Sequence, residues 1–357
     1  METNGTAVPG FRSERQRDED IIRVASYYRR DFDLAVTQID PHEHKGIRNS
    51  VAHPFVSSPS AALGSLEVLP LEILQEIFLL LDIKSLFQVR DVNLRAREVI
   101  YTLRGYKSIM SYAFEPLCVI LRTKIASWFT IHDLYNVLCT RDCHICDSFS
   151  GFIFLPSFQR CCFPCLKTAY QFRVVSLTEA GKRFKLSKQA LRNSFPILST
   201  IPGQYSMEEV PYKRRMYLLA EEQLIKVFEC SNRDRETRIS PDTPRKDVLR
   251  YMAATTLPCL DTATGHIEHG ICCAGCQIKL EKSFFSTGPE YDSHVVRDRI
   301  YSQAGFLEHF PACSEARILW ESSQEGRIPV KVPYSIQRRR CFNNRSTVTS
   351  TKRQYQY

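Results

Sequence analysis

No stretch of this 357-residue chain reaches the ~20 consecutive apolar residues that a membrane-spanning helix needs. Its apolar runs, such as Ile77 to Leu81 and Val174 to Val175, are far shorter, so a soluble protein with no membrane partner is expected. The opening segment METNGTAVPGFRSERQRDEDIIRV has charges where a secretory signal would place its apolar residues. Residence in a reducing compartment, cytoplasmic and/or nuclear, is therefore expected, and the sequons at Asn4 and Asn344 should stay unmodified. Also missing are a Gly-rich phosphate loop, a Gly-x-Ser-x-Gly elbow and a His-Glu-x-x-His helix. Without these signatures the chain is expected not to be an enzyme; the thiol of Cys341 lies in a basic terminal segment with no defined base to activate it. No internal repeat of fixed period is visible.

What is present begins with enough apolar material, 43% hydrophobic and 11% aromatic residues, for at least one substantial core in a chain too long for one average domain. Fourteen cysteines in a reducing compartment are poor candidates for structural disulfides, so clustered ones read as metal ligands. The formal charge of +9 is unevenly placed. From Arg327 to Tyr357 there are eight basic residues and no acidic one, which leaves +1 for everything before. The basic character thus belongs to a terminal segment.

Composition and periodicity divide the chain. Residues 1–64, polar and broken by Pro9, Pro41, Pro54 and Pro59, read as a disordered lead-in in which RVASYYRRDFDLAV can form a short helix. Residues 65–112 read as a helical module. Leu74, Ile77, Phe78 and Leu81 recur at the i, i+3, i+4, i+7 spacing of one helix face. Pro70 suits the first turn, and Asp82 with Ser85 can cap a second helix running through Leu86, Val89 and Asn93. Residues 113–230 read as a helical and Cys-rich body, 231–247 (SNRDRETRISPDTPRKD) as a charged linker, 248–325 as a second Cys/His-rich region and 326–357 as a basic disordered tail.

The segment LEVLPLEILQEIFLLLDIKSLFQVRDVNLRAREVI resembles the F-box, a small helical module that docks onto the Skp adaptor of a cullin-RING (SCF) ubiquitin ligase. Leu69, Pro70, Glu72, Leu74, Ile77, Leu81, Asp82, Leu86, Arg90, Val92 and Asn93 fit its pattern; at Ala96, many F-boxes carry Trp. The resemblance implies that Leu69, Pro70, Leu74, Ile77 and Leu81 meet the adaptor, with Leu86, Val89 and Val92 completing the surface. Periodicity alone is equally met by the core stripe of an ordinary helical hairpin.

Two cysteine constellations follow. Cys143-x2-Cys146 and Cys162-x2-Cys165, fifteen residues apart, have the spacing of a four-cysteine zinc site. Cys161, Cys139 and His144 compete for the register. Four thiolates would leave no open position for water, so the zinc would be structural. The second set is Cys273-x2-Cys276 with His309-x3-Cys313, the last pair expected on one helix face, across an interval of 32 residues. Cys272, Cys259, His266, His269 and His294 are alternative ligands there.

The order of F-box, GFIFLP with RCCFPCL, and FLEHFPACSEARILW resembles a large group of F-box proteins from filamentous fungi. The expected fold is mainly α with an α+β body, an N-terminal helical F-box followed by a zinc-stapled Cys-rich domain. The expected function is a non-catalytic substrate receptor that bridges the Skp adaptor and cullin ligase to an unknown protein, supplying proximity for ubiquitylation. The alternative is a zinc-containing nucleic-acid or chromatin-binding protein. Cys segments rich in Phe, Leu and Pro rather than Arg and Lys weigh against a nucleic-acid partner.

Overall fold

Between Leu71 and Thr102 the chain makes three short helices because each break carries its own start signal. Pro70, with φ of −54°, is the N-cap of Leu71–Leu79 rather than a residue of its first turn. The carboxylate of Asp82 accepts from the Ser85 amide at 2.9 Å and starts Ile83–Arg90. Asn93 does not continue that helix, as its periodicity suggested. Its side chain accepts from the Ala96 amide at 2.8 Å and starts a third helix, Leu94–Thr102, because Asn competes with helix geometry and favours the cap.

The computed structural model describes residues 13–39, 62–231, 244–286 and 291–338. The described chain divides into two compact units, one within residues 30–270 and the other joining residues 13–29 to residues 271–338. In the first, the three helices lead into Tyr106–Tyr112, Phe114–Arg122 and Ile131–Cys139. Gly105 makes the turn before Tyr106 with φ of +78°, and a Cβ there would lie 2.4 Å from the Tyr135 ring. A capping box fixes the last of these helices, with the Thr130 hydroxyl accepting from the Asp133 amide and Asp133 accepting from the Thr130 amide.

Two antiparallel three-stranded sheets follow. In one, Phe152–Phe154 lies between Gln159–Cys161 and Ala254–Thr256, with Phe152 opposite Cys161 and Thr256. In the other, Tyr217–Ala220 lies between Val174–Ser176 and Leu198–Ser199, backed by the helices Leu177–Phe184 and Lys188–Ser194 around Leu177, Phe184, Leu191 and Leu219. Arg160 is buried in the first sheet without a carboxylate hydrogen-bond partner. It donates instead to Ser150 Oγ at 2.8 Å and to the carbonyls of Ser150, Leu257 and Pro258 at 2.6, 2.7 and 3.1 Å, and burial draws its pKa down to about 10.

The second unit is discontinuous in sequence, which the reading of residues 1–64 as a disordered lead-in did not anticipate. Ser13 caps a helix Glu14–Ala25, and Ser26–Tyr27 pairs antiparallel with Cys272–Cys273. Ile21 and Ala25 pack with Phe306, Phe310, Ala316 and Trp320, and buried Arg29 pairs with Asp298 at 2.8 Å. In the first unit, the Phe32 ring packs tilted against Phe163 and Thr37 donates to the Met252 carbonyl, so residues 13–39 fold because their apolar side chains find distant partners. The expected tail likewise includes a short helix, Tyr334–Gln337, with Ile336 buried. Within the charged linker, residues 232–243 lie outside the described residues, as does most of the tail, from 339 onward.

Leu86 is wholly buried, so Leu86→Ala is expected to lower unfolding free energy by about 2–5 kcal/mol in urea titration. Gly105→Ala, which combines a positive φ with the Tyr135 clash, should cost at least about 1 kcal/mol in the same assay.

Candidate functional site

The helical module keeps only part of its apolar surface. Leu74 and Phe78 on the first helix, Ile83 and Leu86 on the second, and Val99 and Ile100 on the third are buried. On the first helix Ile73, Ile77 and Leu80 follow the i, i+4, i+7 stripe and remain exposed. Among the described residues, twenty large apolar side chains are exposed, and eight of them, Leu66, Val68, Leu71, Ile73, Ile77, Leu80, Val92 and Leu94, fall within residues 66–94. A concentration of that kind marks an interaction surface rather than scatter.

Of the residues expected to meet the adaptor, Pro70, Ile77 and Val92 are exposed and Leu69, Leu81 and Val89 half-buried. Leu74 and Leu86, at 1% and 0% exposure, are corrected to core positions, because a helix of the module needs one apolar face for its own interior. Val68 and Leu80, 87% and 81% exposed, were missed because they lie outside the Leu74, Ile77, Phe78 and Leu81 stripe read from the sequence. Polar clasps hold the rim: Arg95 pairs with Glu67 at 3.0 Å and Gln75 donates to Thr102 at 2.8 Å. The Leu63 amide and Arg95 together hold the Glu67 carboxyl below its ordinary range.

Both thiol clusters assemble as their spacing predicts. Cys143, Cys146, Cys162 and Cys165 offer sulfurs all within 4.8 Å of one another, and so do the ligand atoms of Cys273, Cys276, His309 and Cys313. Cys139, His144 and Cys161 stand outside the first set; Cys259, His266, His269, Cys272 and His294 stand outside the second. The twelve cysteines whose side chains are described are free thiols.

In the first cluster the Cys143–Cys146 turn closes through Asp147 at φ +54°, with the Cys143 amide donating to the Ser148 carbonyl at 2.8 Å. Its second pair straddles a strand-to-helix junction, since Cys162 is the N-cap of Phe163–Thr168 and receives the Cys165 amide at 3.5 Å. The second cluster repeats that device. Cys273 ends the strand Cys272–Cys273 and Cys276 lies in the first turn of Ala274–Ser286. His309 and Cys313 do not share one helix face. His309 ends Gln303–His309, a short 3-10 turn with Pro311 intervenes, and Cys313 caps Ser314–Ser322. Proline's missing N–H breaks the helix and swings both ligands inward.

The spacing fits a tetrahedral ion, whose sulfurs lie about 3.8 Å apart when metal–sulfur bonds are about 2.3 Å. Cys146 and Cys162 sulfurs are 3.6 Å apart, Cys273 and Cys313 3.7 Å, Cys276 and Cys313 4.0 Å, and the Cys276 sulfur is 3.3 Å from His309 Nε2. The His309 ring is stacked on Tyr301 at 4.7 Å between centroids, an orienting contact that spacing could not reveal. Gly275 was also missed: a Cβ there would lie 2.3 Å from the Ala316 amide nitrogen and 2.7 Å from the Cys313 sulfur. The small residues inside CCAGC were its only sequence signal.

Without a cation, crowding sets the protonation. Thiols of Cys162 and Cys165 donate to Cys143 and pull its pKa down, while sharing with Cys143 pushes Cys162 up and Cys165 up to about 12. In the second cluster Cys273 and Cys276 lower Cys313. Cys276 is raised, first by its bond to Cys273. At Cys273 the Cys276 bond pulls down, but the Cys313 bond and burial carry it up to about 12. Several thiolates cannot coexist there without a positive ion, which is what a bound metal supplies.

A trio of short helices that buries one face and leaves another bare offers an apolar surface suited to a protein partner. Residues 66–108 match the family model of the F-box domain. That domain implies an adaptor role in SCF complexes, with an Skp-type partner, in a class of proteins that are generally non-catalytic. The match ends before both thiol clusters, and no curated protein and no solved structure matches the chain. No helix among the described residues is long and apolar enough to cross a membrane.

The purified chain is expected to carry about two metal ions by elemental mass spectrometry, falling to about one in Cys162→Ser and in Gly275→Ala. Raised thiols hold their protons at neutral pH, and a metal must displace them. Loading at pH 7 should therefore release at least about two protons per cluster, measured in weak buffer, and acidification should expel the metal.

Proposed function

We propose that this chain is the substrate receptor of an SCF ubiquitin ligase. The observation that carries the reading is the bare apolar face of residues 66–94 within a matched F-box. Leu69, Pro70, Ile77, Leu81, Val89 and Val92, together with Val68, Ile73 and Leu80, contact the Skp adaptor, which covers the face and so removes apolar area from water at about 25 cal/mol per Å². Residues from about 140 to 330 hold the protein to be ubiquitylated. The chain forms and breaks no bond itself. It raises the local concentration of client near the conjugating enzyme of the ligase.

Zinc is the ion proposed for both clusters, since thiolate and imidazole donors in tetrahedral sets select it over hard cations. Cys143, Cys146, Cys162 and Cys165 would hold one ion; Cys273, Cys276, His309 and Cys313 the other. All four positions of each ion would be filled by protein, so its work is to staple short elements, not to bind substrate. Free thiols throughout the described residues support a reducing cytoplasmic or nuclear setting.

Co-expression with the Skp adaptor tests the reading. Ile77→Ala/Leu80→Ala removes exposed side chains and is expected to leave the melting temperature nearly unchanged while weakening adaptor capture at least about tenfold. Capture equal to wild type by a folded double variant would sink it.

A further inference from the structure

One edge of the 174–220 sheet region collects positive charge that the chain itself does not answer. Between Leu177 and Tyr217 there are eight basic residues and three acidic ones, whereas the remainder of residues 1–326 sums to −4. Arg183 is spent internally on Glu221. The other seven, Lys182, Lys185, Lys188, Arg192, Lys213, Arg214 and Arg215, are all exposed, and none has a carboxylate partner among the described residues. Elsewhere some bases are answered by carboxylates: Arg95 by Glu67 and Glu98, Lys226 by Glu222, Lys282 by Glu315.

The fold packs the two helices that carry Lys182, Lys185, Lys188 and Arg192 against each other and sets Arg192 beside the strand into which Lys213, Arg214 and Arg215 lead. Lys185 is the C-cap of Leu177–Phe184, and Lys188 opens the next helix three residues later. Lys188 and Arg192 are four apart and so share a face. Arg192 then lies over the ring of Tyr217 at 5.4 Å. Tyr217 itself is exposed at the start of the central strand, where Ser199 is its ladder partner, and Lys213, Arg214 and Arg215 run directly into it. A guanidinium laid over a ring is held in place with its N–H edge still available to carboxylates.

We propose that this basic edge, centred on Arg192 and Tyr217, binds an extended Asp/Glu-rich segment of the client protein. The inference rests on the receptor reading above. Like charges gathered on one edge repel one another, and an acidic partner relieves that repulsion and steers encounter. Spread over two helices and a strand lead-in, the cations match charge distributed along a peptide rather than one phosphate, which calls for donors converging on a single point. A nucleic acid is less well matched, because single-stranded binders lay successive bases on several aromatic platforms and this edge presents Tyr217.

The test uses the full chain co-purified with the Skp adaptor. Fluorescence anisotropy is read for a labelled Asp/Glu-rich peptide, a neutral Asn/Gln peptide, a neutral peptide bearing one phosphoserine, and a single-stranded RNA of matching length. The acidic peptide is expected to bind best, with affinity falling as salt rises. Lys188→Glu/Arg192→Glu should weaken it at least about tenfold and Tyr217→Ala measurably. Lys279→Glu/Arg317→Glu, the same charge change on exposed residues of the other unit, should leave it unchanged. The inference is overturned if the acidic peptide binds no better than the neutral one, if the control variant loses as much, or if RNA or the phosphopeptide binds more tightly through the same residues. Adaptor capture in the same samples separates the two readings. Capture kept without peptide binding overturns the basic edge alone, while capture lost overturns the receptor.

Discussion

Convergence of four soft donor atoms on one point, twice in the chain, is the constraint on which much of the remaining architecture depends. The strands are two to four residues long, and such short pieces are marginal by themselves. At both clusters a Cys-x-x-Cys pair straddles the junction of a strand and a helix. A metal held there would tie together short elements on either side of each junction. In the second unit the tie reaches further, since Cys273 is the ladder partner of Ser26 and the ligands sit in the core that seats the 14–25 helix.

The F-box follows a different economy. Its helices are each eight or nine residues long, and the second and third are started by the side-chain caps of Asp82 and Asn93. They share one small interior, around Leu74, Phe78 and Leu86, and leave Ile73, Ile77 and Leu80 bare. One helix thus supplies both an interior stripe and an exposed apolar stripe. That division explains how substitutions within one small module are expected to act on different properties, stability in one case and adaptor affinity in the other.

Between these parts the protein handles charge in two ways. Where a cation is buried it is satisfied locally: Arg160 by four acceptors on two segments, Arg29 by Asp298. Such groups hold the fold, because leaving any of them unpaired in the interior is costly. On the 182–217 edge the cations other than Arg183 stand in solvent with no carboxylate beside them among the described residues, a placement that adds little to folding.

Residues closely spaced and chemically distinctive were legible from sequence. The F-box was carried by its Leu-Pro start, the Leu-Asp junction and the Arg-x-Val-Asn end, and the eight metal-ligand candidates by Cys-x-x-Cys and His-x3-Cys spacing, because each pattern demands a local geometry that few other patterns share. Tertiary structure decided the rest. Whether Leu74 or Ile77 faces outward depends on which side the neighbouring helices occupy, and a stripe of leucines does not say. Residues 13–39 looked like a disordered lead-in because their partners, Phe163, Met252, Phe306 and Trp320, lie more than a hundred residues away. Gly275 and Tyr301 matter only through the Cys313 sulfur and the His309 ring. Sequence determines what a short segment can do by itself; contacts between segments far apart in the chain exist only once the fold has brought them together.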